Sequence, residues 1–208
     1  KSSKTYPGFG FWAFANVFIS LGFMLLSLRG IMPDLITVIF ANSLIFGGIV
    51  LFFTGNRRFL GLSDERVFSL ALLILHALII GYFNYINQQV VYRIVCISIF
   101  ITIVSGRNYY DFRQGWLQNR SASYKFISIV YLAFCSLIIT RAIFTYWFSN
   151  LEGLYTPDRI QSFSFVTFIL TSIVWTFAYM ILNNERLQQE LNETKIKFEK
   201  LAATDFLT

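Results

Sequence analysis

The stretch that decides the architecture runs from Ile160 to Leu201: IQSFSFVTFILTSIVWTFAYMILNNERLQQELNETKIKFEKL. Its first half, Ile160 to Leu182, carries no charge and is long enough to cross the ~30 Å hydrocarbon layer of a bilayer as a helix. From Asn183 onward the composition turns polar, rich in helix formers and free of Gly and Pro, so nothing stops the helix at the membrane surface. One periodicity persists across that junction: Phe177, Met180, Asn184, Leu187, Leu191, Thr194, Phe198 and Leu201 recur in alternating steps of three and four. This is the a/d seam of a coiled coil continuing a membrane span. Asn184 at an a position and Thr194 at a d position are weak knobs, so the bundle must supply part of any dimer contact. Glu190 at g and Lys195 at the following e suit a parallel pair of chains, although an exposed pair stabilises by only a few tenths of a kcal/mol. The competing reading is a solvated amphipathic helix without a partner.

The rest of the chain agrees. Of 208 residues, 56% are apolar, 19% aromatic and only 13% charged; the mean hydropathy is +0.59. A water-soluble domain carries about 25% charged residues, so an ordinary soluble globule is excluded. Disorder fails too, because 24 Phe and 11 Tyr supply far more apolar surface than an unfolded chain leaves in water. Five further runs read as spans: Phe9 to Leu28, Leu35 to Thr54, Val67 to Ile86, Val90 to Val104, and Phe126 to Phe148. The fourth has a short apolar core and is expected to continue as a helix past Arg107 into water. Pro33 with Asp34, and Pro157 with Asp158, precede the second and sixth runs, where they suit helix starts. The expected fold class is therefore all-α: a polytopic transmembrane helical bundle followed by a cytoplasmic coiled-coil signalling helix. The bundle occupies residues 1–182 and the signalling helix 183–202. The chain opens on Lys1, so its natural start is expected upstream.

Lys and Arg set the orientation, since positive residues are retained on the cytoplasmic side. One face carries Lys1, Lys4, Arg57, Arg58, Arg66, Arg107, Arg113, Arg120 and Lys125, and the tail adds Arg186, Lys195, Lys197 and Lys200. The opposite loops carry only Arg29, Arg93 and Arg159. Both ends are therefore expected in the cytoplasm, with the protein a multi-pass component of the bacterial inner (cytoplasmic) membrane. Trp12, Trp116, Tyr109 and Tyr110 at the inner boundary, and Tyr92, Tyr146 and Trp147 at the outer one, read as anchors in the headgroup belt. The net charge of +6 is explained by these loops, and no basic stretch outside a span is interleaved with stacking aromatics, so nucleic acid is not an expected partner. Cys96 and Cys135 lie inside apolar runs and read as small hydrophobes.

The closing residues, LAATDFLT from Leu201 to Thr208, resemble the opening of the GGDEF domain of diguanylate cyclases, where a signalling helix runs into a segment of the form LA-x-TD-x-LTGL. Leu201, Ala202, Thr204, Asp205, Leu207 and Thr208 carry the likeness, with Phe198 on the preceding seam. The stretch from Tyr6 to Gly61 is similar to the multi-span region ahead of many GGDEF domains, in its YPGFG start, its LRG-x-x-PD loop and its RRFLG end. In such proteins a further helix often precedes, which would make seven spans. The resemblance implies that residues 203–208 begin a cyclase domain whose catalytic residues lie beyond Thr208, with none in the present chain. It implies that GTP and Mg2+ bind there, and that two such domains face each other so that each 3'-hydroxyl attacks the partner's α-phosphate, giving cyclic di-GMP and pyrophosphate. Misalignment would leave both nucleotides unreactive, so the membrane part and its parallel homodimer form the switch.

A stimulus must be read within the bilayer, because the outer loops are short. Ionisable groups there are costly and are candidates by default. Arg141 lies about 10 Å inside the outer end of the fifth span at 1.5 Å per residue. Arg93 lies near the outer end of the fourth span, and Asn42 at a depth similar to Arg141. With no acid at comparable depth, these three form a candidate pocket for a small anion or a lipid headgroup; the alternative is that Arg141 is structural. His76, near the midplane, reads as a hydrogen-bonded packing residue, and no metal site is expected. Two rivals remain to the sensory reading: an anchor that only dimerises the cyclase, and a transporter or channel subunit. The latter lacks the mid-span Gly or Pro breaks and membrane carboxylates that ion coupling uses.

Overall fold

The computed structural model describes residues 7–148 and 159–205. The chain forms α1 (Phe9–Ser27), a π-helical stretch Leu35–Phe40 leading into α2 (Ala41–Phe59), then α3 (Arg66–Tyr85), α4 (Val90–Asn119), α5 (Ala122–Phe148) and α6 (Arg159–Asp205). Among the described residues there is no strand. Among the described residues six helices are long and apolar enough to cross a membrane, as expected of a multi-pass membrane protein. Successive helices alternate in direction, so α1, α3 and α5 begin at the end from which α6 emerges. That end is called the tail end here and the opposite one the far end.

Two hairpins, α1 with α2 and α4 with α5, make the densest contacts; α6 lies against α5, α3 against α4, and α2 reaches α4. The first hairpin is tight because small residues recur at intervals of seven: Ala15 and Gly22 on α1, Ala41, Gly48 and Gly55 on α2. A Cβ on Gly48 would stand 2.7 Å from the Ala15 carbonyl oxygen, and one on Gly22 2.7 Å from that of Ala41. Only glycine allows the two backbones to approach so closely. Between the hairpins lies an aromatic core that includes Phe46, Phe53, Phe112, Tyr131, Phe134 and Trp175.

Two lengths position the candidate site. First, α4 continues to Asn119, well past Arg107, so the α4–α5 hairpin projects beyond the end of α2. Arg120 in the left-handed region (φ 55°) ends α4, and α5 begins two residues later. Second, α6 passes Asn183 and Asn184 without interruption and spans 47 residues, about 70 Å at 1.5 Å per residue. From Leu187 to Ala202 every residue of α6 is exposed. The family-like segment is described only to Asp205: Leu207 and Thr208 are not among the described residues, nor are Lys1, Lys4, Pro157 and Asp158.

Candidate functional site

At the tail end five helices meet on one carboxamide. Asn56 of α2 is fully buried and uses both of its ends. Its Oδ1 accepts from the Trp12 indole Nε1 of α1 at 3.0 Å. Its Nδ2 donates to Asn108 Oδ1 of α4 at 2.7 Å and to the Tyr131 hydroxyl of α5 at 2.8 Å. Tyr131 in turn shares a 2.6 Å hydrogen bond with the Tyr179 hydroxyl of α6, and Asn108 returns its own Nδ2 to the Val104 carbonyl at 3.1 Å. The Trp12 ring stacks on Tyr179 at 4.4 Å between centroids. All five side chains are buried. In an apolar interior an unpaired amide or hydroxyl is expensive, so a network in which every link is made favours one relative placement of the five helices.

An ionic layer follows outward. Arg57 bonds Asp111 of α4 at 2.8 Å and lies 3.2 Å from Glu65, which also pairs with Arg107 at 2.7 Å. Arg57 Nε donates to the Ser63 carbonyl at 2.8 Å. Arg58 holds Asp64 at 2.6 Å and lies over the Phe11 ring at 4.3 Å. That guanidinium, with Arg66 behind it, keeps the Asp64 carboxyl below the usual carboxylate range. These contacts bind the α2–α3 loop to α2 and α4, and α2 to α1.

The outermost layer grips α6 where it leaves the bundle. Arg186 Nη1 donates to the Phe59 carbonyl at 3.0 Å, one of the carbonyls left over at the end of α2, and its guanidinium lies 5.0 Å from the Phe59 ring centroid. The adjacent Glu185 accepts from Ser121 Oγ in the α4–α5 turn at 3.1 Å. Beside them opens a groove of about 590 Å³ lined by Arg120, Tyr124, Leu182, Glu185, Arg186 and Gln189, among others. The inward face of α6 is thus Trp175, Ala178, Tyr179, Leu182, Glu185 and Arg186. The predicted seam lies on other faces: Phe177, Met180, Leu187, Leu191, Phe198 and Leu201 are all exposed, Leu191 at 72% and Phe198 at 67%, as are Asn184 and Thr194.

The residues predicted as a far-end pocket each have surroundings of their own. Asn42 turns its Nδ2 back to the Val38 carbonyl at 2.6 Å on its own helix. Arg141 is half-buried on α5, and among the described residues no hydrogen bond or ion pair joins it to Arg93 or Asn42. Arg93 is 4% exposed and donates from Nη1 to Asn84 Oδ1 at 2.9 Å. At the same end Asp34 Oδ1 is 3.9 Å from Arg29 Nε. Linear depth counting missed the Asn84 partner because Asn84 ends another span, and only the α3–α4 turn brings it to Arg93.

Two further expectations change. Trp12 is not a headgroup anchor: its ring is 4% exposed, because Asn56 offers its N–H a partner inside the bundle. Tyr110, Tyr92, Tyr146 and Trp147 do face outward. His76 is buried and packs as an aromatic, stacked on Phe46 at 4.3 Å and edge-on to Phe100 at 5.5 Å, without the hydrogen bond expected of it. Both cysteines are free thiols. The hub itself was not legible in sequence; the only signal was that Asn56, Asn108, Tyr131 and Tyr179 all fall at one level of alternating spans.

Comparison with family models, with curated proteins and with solved structures finds no match for this chain. Its function is argued from its own residues.

Proposed function

We propose that the chain is a membrane sensory and dimerisation module that controls a diguanylate cyclase domain following Thr208. The observation that carries this reading is the single helix α6, buried against the bundle on one face and presenting an unpaired apolar seam on another. On the water side Leu187, Leu191, Phe198 and Leu201 have no protein cover in the isolated chain. A helix with such a stripe is stabilised by a second copy, and a parallel one places the two LAATDFLT segments side by side. The likeness of that segment to the opening of a GGDEF domain supplies the output: two GTP, with Mg2+, joined across the dimer into cyclic di-GMP and two pyrophosphates. The basic residues at the tail end, Arg57, Arg58, Arg66, Arg107, Arg113, Arg120 and Lys125, favour that end as cytoplasmic and the inner membrane of a bacterium as the location.

In this reading the hub and the Arg186–Phe59 and Ser121–Glu185 clasps convert a change in the bundle into a rotation or tilt of α6. The test is Leu191→Glu in the full-length protein. Disulfide trapping through single cysteines at Leu187 or Leu201 should disappear and cyclic di-GMP output should fall at least tenfold; a dimeric and fully active variant overturns the reading. A passive anchor shares the exposed seam, and Asn56→Leu separates the two. With the dimer retained, a changed output supports sensing, whereas an unchanged one favours the anchor.

A further inference from the structure

The far end holds two buried donors that the described residues leave unused. Arg93 is 4% exposed and Asn84 8% exposed, and they are joined by the Arg93 Nη1 to Asn84 Oδ1 hydrogen bond of 2.9 Å. The other nitrogen of each planar group, Arg93 Nη2 and Asn84 Nδ2, is buried without a hydrogen-bond partner among the described residues. Native interiors pair such groups almost without exception, and an unmade bond from a charged donor is the costliest kind. The two donors belong to planar groups already joined by one hydrogen bond, and a single acceptor with two oxygens has one oxygen for each.

The pair itself specifies the charge of that acceptor: Arg93 carries one positive charge and Asn84 none. Arg93 lies in the first turn of α4, whose leading N–H groups add partial positive charge. One monoanion balances this set; a dianionic phosphate would overshoot it and find too few donors. Asn84 is in the last turn of α3 and Arg93 in the first of α4, so the site is at the rim of the bundle, at the level of the lipid headgroups. We propose that the Arg93–Asn84 pair binds a carboxylate, one oxygen on Arg93 Nη2 and the other on Asn84 Nδ2, supplied by a small carboxylic acid or by a serine lipid headgroup. As a stimulus this ligand rests on the sensory reading above. As a binding site it does not, and the test reads binding alone, so the two fail separately.

The full chain would be melted in a neutral detergent, following tryptophan fluorescence, while sodium acetate is titrated against sodium chloride and sodium phosphate at equal ionic strength. Acetate should raise the midpoint saturably, by about 3–5 °C at tenfold saturation, with chloride and phosphate giving no saturable rise. Asn84→Asp places a carboxylate on the chain itself: its midpoint should be higher without acetate and should no longer respond. Arg93→Met should also lose the response; if it fails to fold, Asn84→Asp decides. In nanodiscs, a rise with phosphatidylserine and not with phosphatidylglycerol, without an acetate effect, assigns the carboxylate to lipid. Equal effects of acetate and phosphate, equal effects of the two lipids, an unchanged response in Asn84→Asp, or no saturable rise with any of these probes would overturn the proposal.

Discussion

Asn56 concentrates the problem this protein solves in an apolar medium. A carboxamide inside a bundle is a liability unless every donor and acceptor is matched, and here Trp12, Asn108 and Tyr131 match it from three other helices. The fifth helix joins through the Tyr131–Tyr179 bond. Replacing Asn56 with Leu keeps the volume but leaves the indole N–H and the Asn108 oxygen unmatched, and should destabilise the bundle by about 2–4 kcal/mol. Tyr179→Phe removes only the last link and should cost about 1 kcal/mol. Steric-trapping or detergent-denaturation measurements on the two variants check that ranking; equal losses would show that the network does not act through Asn56. None of these partners could be paired from sequence, because the shortest separation between two members bonded to each other, Asn56 and Trp12, is already 44 positions.

Helices can be read in the sequence much more directly than their contacts. Each expected span is found within a few residues, because apolar run length and the charges that bound it are local properties. The projection of α4 was also foreseeable, since nothing from Arg107 to Asn119 breaks a helix except the tolerable Gly115. How closely α1 meets α2 was not foreseen, although the spacing of small residues was present to be seen. Gly48→Val would push a branched side chain into the Ala15 carbonyl and the Ile19 side chain. It should destabilise the α1–α2 hairpin by about 2–3 kcal/mol, whereas Gly106→Ala, where a Cβ meets nothing within 4 Å, should be neutral or better. Protease accessibility of the α1–α2 connection in membranes would compare them.

For the molecule as a whole, α6 matters because it has two working faces on one rigid rod. Rotating the distal part relative to the proximal part should therefore matter more than lengthening it. One residue inserted after Gln188 turns everything beyond by about 100°, taking Leu191 and Phe198 out of line with Phe177 and Met180; seven residues restore the line. Cyclic di-GMP output in the full-length protein should be lost or locked with one inserted residue and largely return with seven. Equal output from the two would mean that α6 tethers the cyclase without steering it.

The amino-acid sequence by itself determined the number of helices, the continuity of the sixth, the stripe along it and the asymmetry of charge. Each of these follows from neighbours along one chain segment, where hydrophobic length, helix propensity and period leave little choice. Which polar side chains meet was decided only in three dimensions. Trp12 became a core residue, Arg93 took Asn84, and Arg186 found the Phe59 carbonyl. In each case the partner lies on another helix, and its identity depends on the rotation of both helices about their axes, which side-chain packing sets and no single segment encodes.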